Sequence, residues 1–155
     1  MIWTINILSL LCAFVGMEFV AWTTHKYLMH GLLWSLHNDH HKKDHGGPFE
    51  RNDAFFLIFA VPAIILFLYG VRGGIGDVRI WIAVGITLYG MAYFLVHDIF
   101  IHQRTKWLRN SDNRYFRAIR RAHKMHHKHL GKEEGECFGM LLVPLEYFKQ
   151  ASSEA

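Results

Sequence analysis

Residues 2–30 read IWTINILSLLCAFVGMEFVAWTTHKYLMH. Between residues 2 and 24 the only charged side chain is Glu18. A helix rises about 1.5 Å per residue, so this run can cross a hydrocarbon core about 30 Å thick. It has neither the basic start nor the short apolar stretch of a secretion signal. At its end stand His25 and His30, spaced H-x4-H. An apolar span that delivers imidazoles at its end recurs later in the chain.

Two further apolar runs follow, over residues 54–71 and 78–97, and Pro62 should kink the first of them. Of the 155 residues, 52% are hydrophobic and 19% charged, against roughly 25% charged in a soluble domain. Three such runs leave little amphipathic surface, so a soluble helix hairpin is the weaker reading. The sequence predicts an all-α, integral membrane helical bundle with three to four transmembrane helices. Residues 25–53 and 98–150 form a histidine-rich helical cap, and residues 1–155 form a single domain. Gly16, Gly70, Gly85 and Gly90 suit close helix packing. Two cysteines, Cys12 and Cys137, exclude a disulfide scaffold and a cysteine-based metal site.

The linkers fix the expected topology. Residues 72–77, RGGIGD, leave room only for a tight turn between the second and third runs. Of 17 Lys and Arg, only Arg72 and Arg79 lie on the turn side. The richer end belongs in the cytoplasm, with the N-terminus on the opposite side. The basic tail reads first as topology and contact with anionic lipid, and nucleic acid is not an expected partner.

Ten of the 12 histidines form four boxes: His25 and His30; His37, His40 and His41; His97 and His102; His123, His126 and His127. Their order is H-x4-H, H-x2-H-H, H-x4-H, H-x2-H-H, an internal repeat. The first and third runs end on the same side, so the topology gathers all four boxes at one face. Within a triplet, positions i, i+3 and i+4 share a helix face. Five-residue spacing puts His25 and His30 about 140° apart on an ideal helix. They either flank a metal pair or lie where the helix unwinds before Gly31. Ten imidazoles suit two six-coordinate first-row ions of iron, zinc, copper or nickel. His45 and His129 stand just outside the boxes, as possible outer ligands or partners of the ligands. Asp39 and Asp98 are candidates to accept the far N–H of a bound imidazole, or simply balance local cations. Glu18, inside a span, is a functional candidate by position.

The boxes resemble those of the fatty acid hydroxylase and sterol desaturase superfamily of membrane non-haem di-iron enzymes. Residues 25–34 (HKYLMHGLLW), 36–41 (LHNDHH), 49–53 (FERND), 93–98 (YFLVHD), 102–104 (HQR), 122–129 (AHKMHHKH) and 135–139 (GECFG) resemble its bacterial β-carotene 3-hydroxylase branch. The resemblance runs from about residue 18 to 148. Ile99 departs from it, standing where that branch often has glycine. The resemblance implies the ten boxed histidines as ligands of two iron ions, which zinc can displace in purified protein. It implies O2 as co-substrate and external electrons from a soluble donor such as ferredoxin with its reductase. The resemblance to bacterial enzymes makes a bacterial inner membrane the expected location. The implied substrate is β-carotene or a related carotenoid, hydroxylated at C3 of each β-ionone ring to β-cryptoxanthin and then zeaxanthin. Residues 70–76, GVRGGIG, are a turn and not a phosphate loop. Arg104, Lys106, Arg109, Arg114, Arg117, Arg120 and Arg121 could dock an acidic donor, though topology explains the same charges. Trp22, Tyr27, Trp34, Tyr89, Tyr93 and Phe94 are candidates to line a substrate groove, against anchoring or packing roles. A fatty acyl or sterol hydroxylase or desaturase is the alternative within the superfamily. A metal transporter fits less well, because its ligands usually sit near the bilayer midplane. A homo-oligomer is compatible with all of this.

Overall fold

The computed structural model describes residues 1–42, 47, 49–105 and 111–153. Helix α1 (Ile2–Thr23) runs on as a wider π-helical segment, Thr24–Leu32, which is kinked at Gly31. Helix α2 is Trp34–Lys42. A single 3-10 turn, Arg51–Asp53, leads into α3 (Ala54–Gly70), and a second, Val71–Gly73, follows it. Helix α4 (Val78–Phe94) also passes into a π-helical segment, Leu95–Ile101. Helices α5 (Arg114–His126) and α6 (Leu145–Ser153) complete the order, and the described residues contain no strand.

Three helices are long and apolar enough to cross a bilayer: Ile2–Leu32, Arg51–Gly73 and Val78–Ile101. Each is longer than its apolar run, because the π and 3-10 segments continue it. His25, His30 and His97 therefore lie on the same long helices as the apolar runs. Pro62 sits inside α3 without ending it. The outward surface is apolar: Val15, Phe19, Phe56 and Leu57 are all more than 60% exposed. Hydrocarbon around the bundle explains that surface, and water does not.

Helix α4 packs against both α1 and α3. Gly85 permits the first contact, because a Cβ there would run into the Leu10 carbonyl and come 2.9 Å from Ala13 Cβ. Gly70 permits the second, since its Cβ would lie 2.8 Å from Ile80 Cγ1. Gly16 and Gly90 differ from expectation: an added Cβ meets nothing within 4 Å at either. The far end is closed by Asn6, fully buried, whose side-chain amide donates to the Gly76 carbonyl at 3.1 Å. Asp77 caps α4 by accepting from the Arg79 N–H, and Gly74 supplies the positive φ of the turn (79°). At the near end α5 starts at Asn113, whose side chain accepts from the amides of Tyr115 and Phe116. Its small face, Ala118 and Ala122, packs on Tyr147 and Ala151 of α6.

The two glycine environments give opposite signs on substitution. Gly85→Ala should destabilise by about 1–3 kcal/mol through overpacking. Gly90→Ala should be neutral or stabilising by up to about 1 kcal/mol, from helix propensity. Thermal unfolding of both variants in detergent checks this, and equal shifts would contradict the packing described.

Candidate metal centre

The π segments solve the spacing of the paired boxes. A π turn closes i→i+5 hydrogen bonds, so residues five apart become neighbours. His102 N–H donates to the His97 carbonyl at 2.9 Å, and Leu33 N–H to the Leu28 carbonyl at 2.7 Å. The ring centroids of His25 and His30 lie 5.2 Å apart, and those of His97 and His102 4.5 Å. The pairs thus neither flank the centre from opposite sides nor need the helix to unwind first. The break comes afterwards, at Gly31 (φ −122°, ψ −109°), and turns the chain into α2. Ile99 lies buried within the second π segment.

The triplets behave as helix faces, with one refinement. His37 and His41 join His25, His30 and His126 in a first group. His40 joins His97, His102 and His123 in a second. In each group, one ligand-capable atom per residue lies within 4.8 Å of all the others. His127 belongs beside the second group, its Nε2 2.8 Å from that of His123. Adjacent histidines therefore part company: His40 and His41 serve different groups, as do His126 and His127. The repeat maps one group onto the other. His25, His30, His37, His41 and His126 have His97, His102, His123, His127 and His40 as counterparts.

The hydrogen bonds decide which nitrogen is offered. Nδ1 of His25, His30, His41 and His126 faces the carbonyls of Phe138 (3.1 Å), Lys132 (3.1 Å), His129 (3.0 Å) and Glu136 (2.7 Å). Nδ1 of His37 faces Asn52 Oδ1 at 2.7 Å. Nδ1 of His40 meets Glu50 at 2.6 Å, and that of His97 meets Asp98 at 3.2 Å. These oxygens only accept, so Nδ1 holds the hydrogen and Nε2 presents a lone pair.

Those lone pairs face one another. Nε2···Nε2 separations are 3.2 Å for His25–His37, His30–His126 and His37–His41. They are 3.1 Å for His40–His97 and 2.9 Å for His102–His123. Where both rings hold the proton on Nδ1, as in His25–His37, His30–His126, His37–His41 and His40–His97, a shared cation reconciles such contacts. Imidazole nitrogens about 2.1 Å from one ion and at right angles around it lie about 3.0 Å apart. The donor set fits two nitrogen-ligated ions.

Burial keeps His37, His40, His41, His123 and His126 neutral. Desolvation pushes His37 and His126 down to about 2 and His41 to about 4, and neighbouring imidazoles push the same way. His40 and His123 are lowered well below the ordinary range for the same two reasons.

Other expected residues fall unevenly. Asp98 is in place on His97. Asp39 is not: its Oδ2 accepts from the Arg51 backbone N–H at 2.6 Å, tying α2 to the start of α3. Glu50 takes the role on His40 instead. His129 contributes its carbonyl, while its imidazole lies 3.9 Å from Glu134. His45, Lys106 and Arg109 lie outside the described residues. Arg104 does not extend a docking face. It pairs with Asp53 (2.7 Å), Asp98 (3.0 Å) and Glu50 (3.5 Å), bracing the carboxylates behind the second group. Arg120 lies over the Phe100 ring at 4.1 Å. Among the aromatics, Trp34 packs on His30 (5.3 Å) and His41 (5.4 Å), and Tyr93 on His97 (4.9 Å). Tyr89 donates to Glu18 at 2.7 Å. Trp22 and Tyr27 form an aromatic pair under Lys26, and Phe94 faces outward. Phe138, which no spacing marks, packs its ring on His25, His30 and His126.

The depressed histidines set a pH dependence for the metal-free protein. As pH falls through about 6.5 the unfolded chain gains protons that the folded chain refuses. Stability is therefore full above that value and lost below it, by at most about 1.4 kcal/mol per pH unit for each such histidine. Chelator-treated protein should melt at clearly lower temperature at pH 5 than at pH 7.5. A flat profile would contradict neutral burial.

Comparison with known proteins agrees with the site. The chain is 39% identical to a β-carotene hydroxylase of Pantoea ananas over 144 residues, covering 93% of this chain and 81% of that protein. It is 39% identical to a β-carotene hydroxylase of Paracoccus sp. (strain PC1), over 83% of this chain and 78% of the relative. It is 44% identical to a chloroplastic β-carotene 3-hydroxylase of Gentiana lutea over 86% of its own length, but spans only 42% of that plant protein. No solved structure gives a significant match. The fatty acid hydroxylase family profile matches residues 10–149, nearly the whole chain, and the chain belongs to the fatty acid hydroxylase family.

Proposed function

We propose that this chain is a β-carotene 3-hydroxylase, an O2-dependent monooxygenase that converts β-carotene through β-cryptoxanthin to zeaxanthin. The observation that supports it most is the pair of imidazole groups, in which rings with Nδ1 on oxygen acceptors bring their Nε2 lone pairs to 3.1–3.2 Å from one another. His25, His30, His37, His41 and His126 would hold one iron, and His40, His97, His102, His123 and His127 the other. The two irons would supply the oxidant that an unactivated ring C–H requires, drawing on O2 and external electrons.

The chain's own residues supply placement. Both groups stand at the ends of α1 and α4, where a ligand dissolved in the bilayer meets the protein. A rigid hydrocarbon lying in lipid can present its ring there without leaving the apolar phase. Trp34, Tyr93 and Phe138 give the imidazoles an apolar wall, and burial of His37, His40 and His126 keeps bulk water away. The hydrogen bonds at Nδ1 prevent seven of the ten rings from rotating. Ligands at the helix ends also argue against a transporter, whose ligands would sit deeper. The bacterial relatives support an inner-membrane location, and the charge asymmetry supports an orientation with the boxes and C-terminus cytoplasmic and the N-terminus opposite. A soluble donor such as ferredoxin would then reach the centre from that side. Exposed Lys124 and Lys128, beside the fourth box, could meet its acidic surface.

Expression in bacteria that accumulate β-carotene tests the proposal. Wild type should yield β-cryptoxanthin and zeaxanthin on chromatography, and His126→Ala should yield neither. Unchanged β-carotene with folded, iron-loaded protein and a working donor would overturn the carotenoid assignment, and acyl chains and sterols would be assayed next.

Glu50 and Asp39 provide a sharper contrast within the same proposal. Glu50→Gln removes the charged partner of His40 and should lower iron affinity or activity by about 10–100-fold. Asp39→Asn, whose carboxylate faces Arg51, should change either by less than about threefold, on the scale of a peripheral hydrogen bond. Iron content and pigment yield of the two variants check the ranking.

A further inference from the structure

Glu18 is the one charged side chain of α1, and it is 92% buried from solvent within the chain (8% exposed). Its carboxylate meets four donors. Oε1 accepts the backbone N–H groups of Met140, Leu141 and Leu142 at 2.8, 2.9 and 2.9 Å. Oε2 accepts the hydroxyl of Tyr89, on α4, at 2.7 Å. One side chain in a membrane span thus holds a segment more than 120 residues further along the chain.

That segment is an irregular strap between α5 and α6. Its carbonyls at His129, Lys132, Glu136 and Phe138 accept the Nδ1–H of His41, His30, His126 and His25. Four of the five imidazoles of the first group are therefore oriented by the strap, and the fifth, His37, by Asn52. The second group is supported differently, by Glu50 on His40 and Asp98 on His97, with Arg104 behind them.

The strap does not hold this shape cheaply. Glu134 and Cys137 adopt φ of 61° and 57°, in the left-handed region that non-glycine residues avoid. Such conformations persist where the surroundings over-determine them. At Gly139 the carboxylate comes close: a Cβ there would lie 2.6 Å from the Leu142 carbonyl and 3.1 Å from Glu18 Oε1. Only glycine lets the strap settle onto the carboxylate.

We propose that Glu18 is a positioning residue that, by anchoring this strap, governs ion retention at the first histidine group and not at the second. The inference rests on the two-ion reading above. A merely structural contact would weaken both sites together or neither, whereas an anchor for the strap weakens one.

The test measures Zn2+ rather than turnover. Detergent-purified protein is loaded with Zn2+, its stoichiometry is measured, and release to a chromogenic chelator is followed in time. Glu18→Ala leaves three amides and a phenol without their acceptor and should release one of its two ions at least about tenfold faster, with the other unchanged. Glu18→Gln can still accept the three amides through Oε1 and should behave nearly as wild type. If Glu18→Ala lacks the wild-type helical signal and melting transition, Glu18→Asp decides, since the shorter side chain draws the carboxylate away from the strap amides. It too should accelerate one ion only. Equal acceleration of both ions, or release unchanged from wild type, in the folded variant would overturn the role of Glu18. Wild-type protein that retains no Zn2+ would overturn the two-ion reading along with it.

Discussion

The structure depends on keeping ten imidazoles crowded together with their lone pairs turned inward. Nitrogen pairs 3.1–3.2 Å apart, with both protons held on Nδ1, repel one another until a cation is shared. The fold must therefore hold the rings in place and fix their tautomers. It does so from outside the cluster. An oxygen acceptor on Nδ1 holds the hydrogen there and stops the ring from flipping. Seven rings are held this way by groups from the α2–α3 link, the end of α4 and the strap after α5.

Much of this scaffold can be read from the sequence. Runs of apolar residues give the three spans, and a six-residue glycine-rich link forces the second and third into a hairpin. With that topology the four boxes must meet at one end, as they do. The triplets follow from helical periodicity alone. The paired boxes do not, because a five-residue spacing makes sense only when the helix widens. No propensity marks residues 24–32 or 95–101 as π-helical; the demand that both imidazoles face one ion selects that form. Two H-x4-H pairs at the ends of two spans were a clue to it, since 3.6-residue periodicity places neither pair on one face.

The supporting groups were less legible, for a physical reason. Four of the seven Nδ1 acceptors are backbone carbonyls, and any residue type can supply a carbonyl. Nothing in the identities of His129, Lys132, Glu136 or Phe138 announces that role. Carboxylates can be named as candidates, but proximity in sequence misleads: Asp39 adjoins His40 yet turns to Arg51, while Glu50, ten residues on, reaches it. Arg104 shows the same limit from the cationic side. As one of many basic residues it reads as topology, whereas its three carboxylate partners lie in two separate segments.

The internal repeat extends to the imidazoles and stops there. Each half contributes one pair and one triplet, and the two groups interchange under that repeat. Their surroundings do not interchange. Behind the first group stand neutral carbonyls and an amide; behind the second stand Glu50 and Asp98, with Arg104 between them. A carboxylate on the far N–H makes an imidazole a more basic donor than a carbonyl does. Equal ligand sets thus need not produce equal sites. Two ions bound here would differ in electron density although both see five imidazoles, and the difference would come from segments that the repeat does not contain. The strap is one of these segments, reached by a carboxylate inside α1. Control over one half of a symmetric ligand set therefore resides in the asymmetric remainder of the chain.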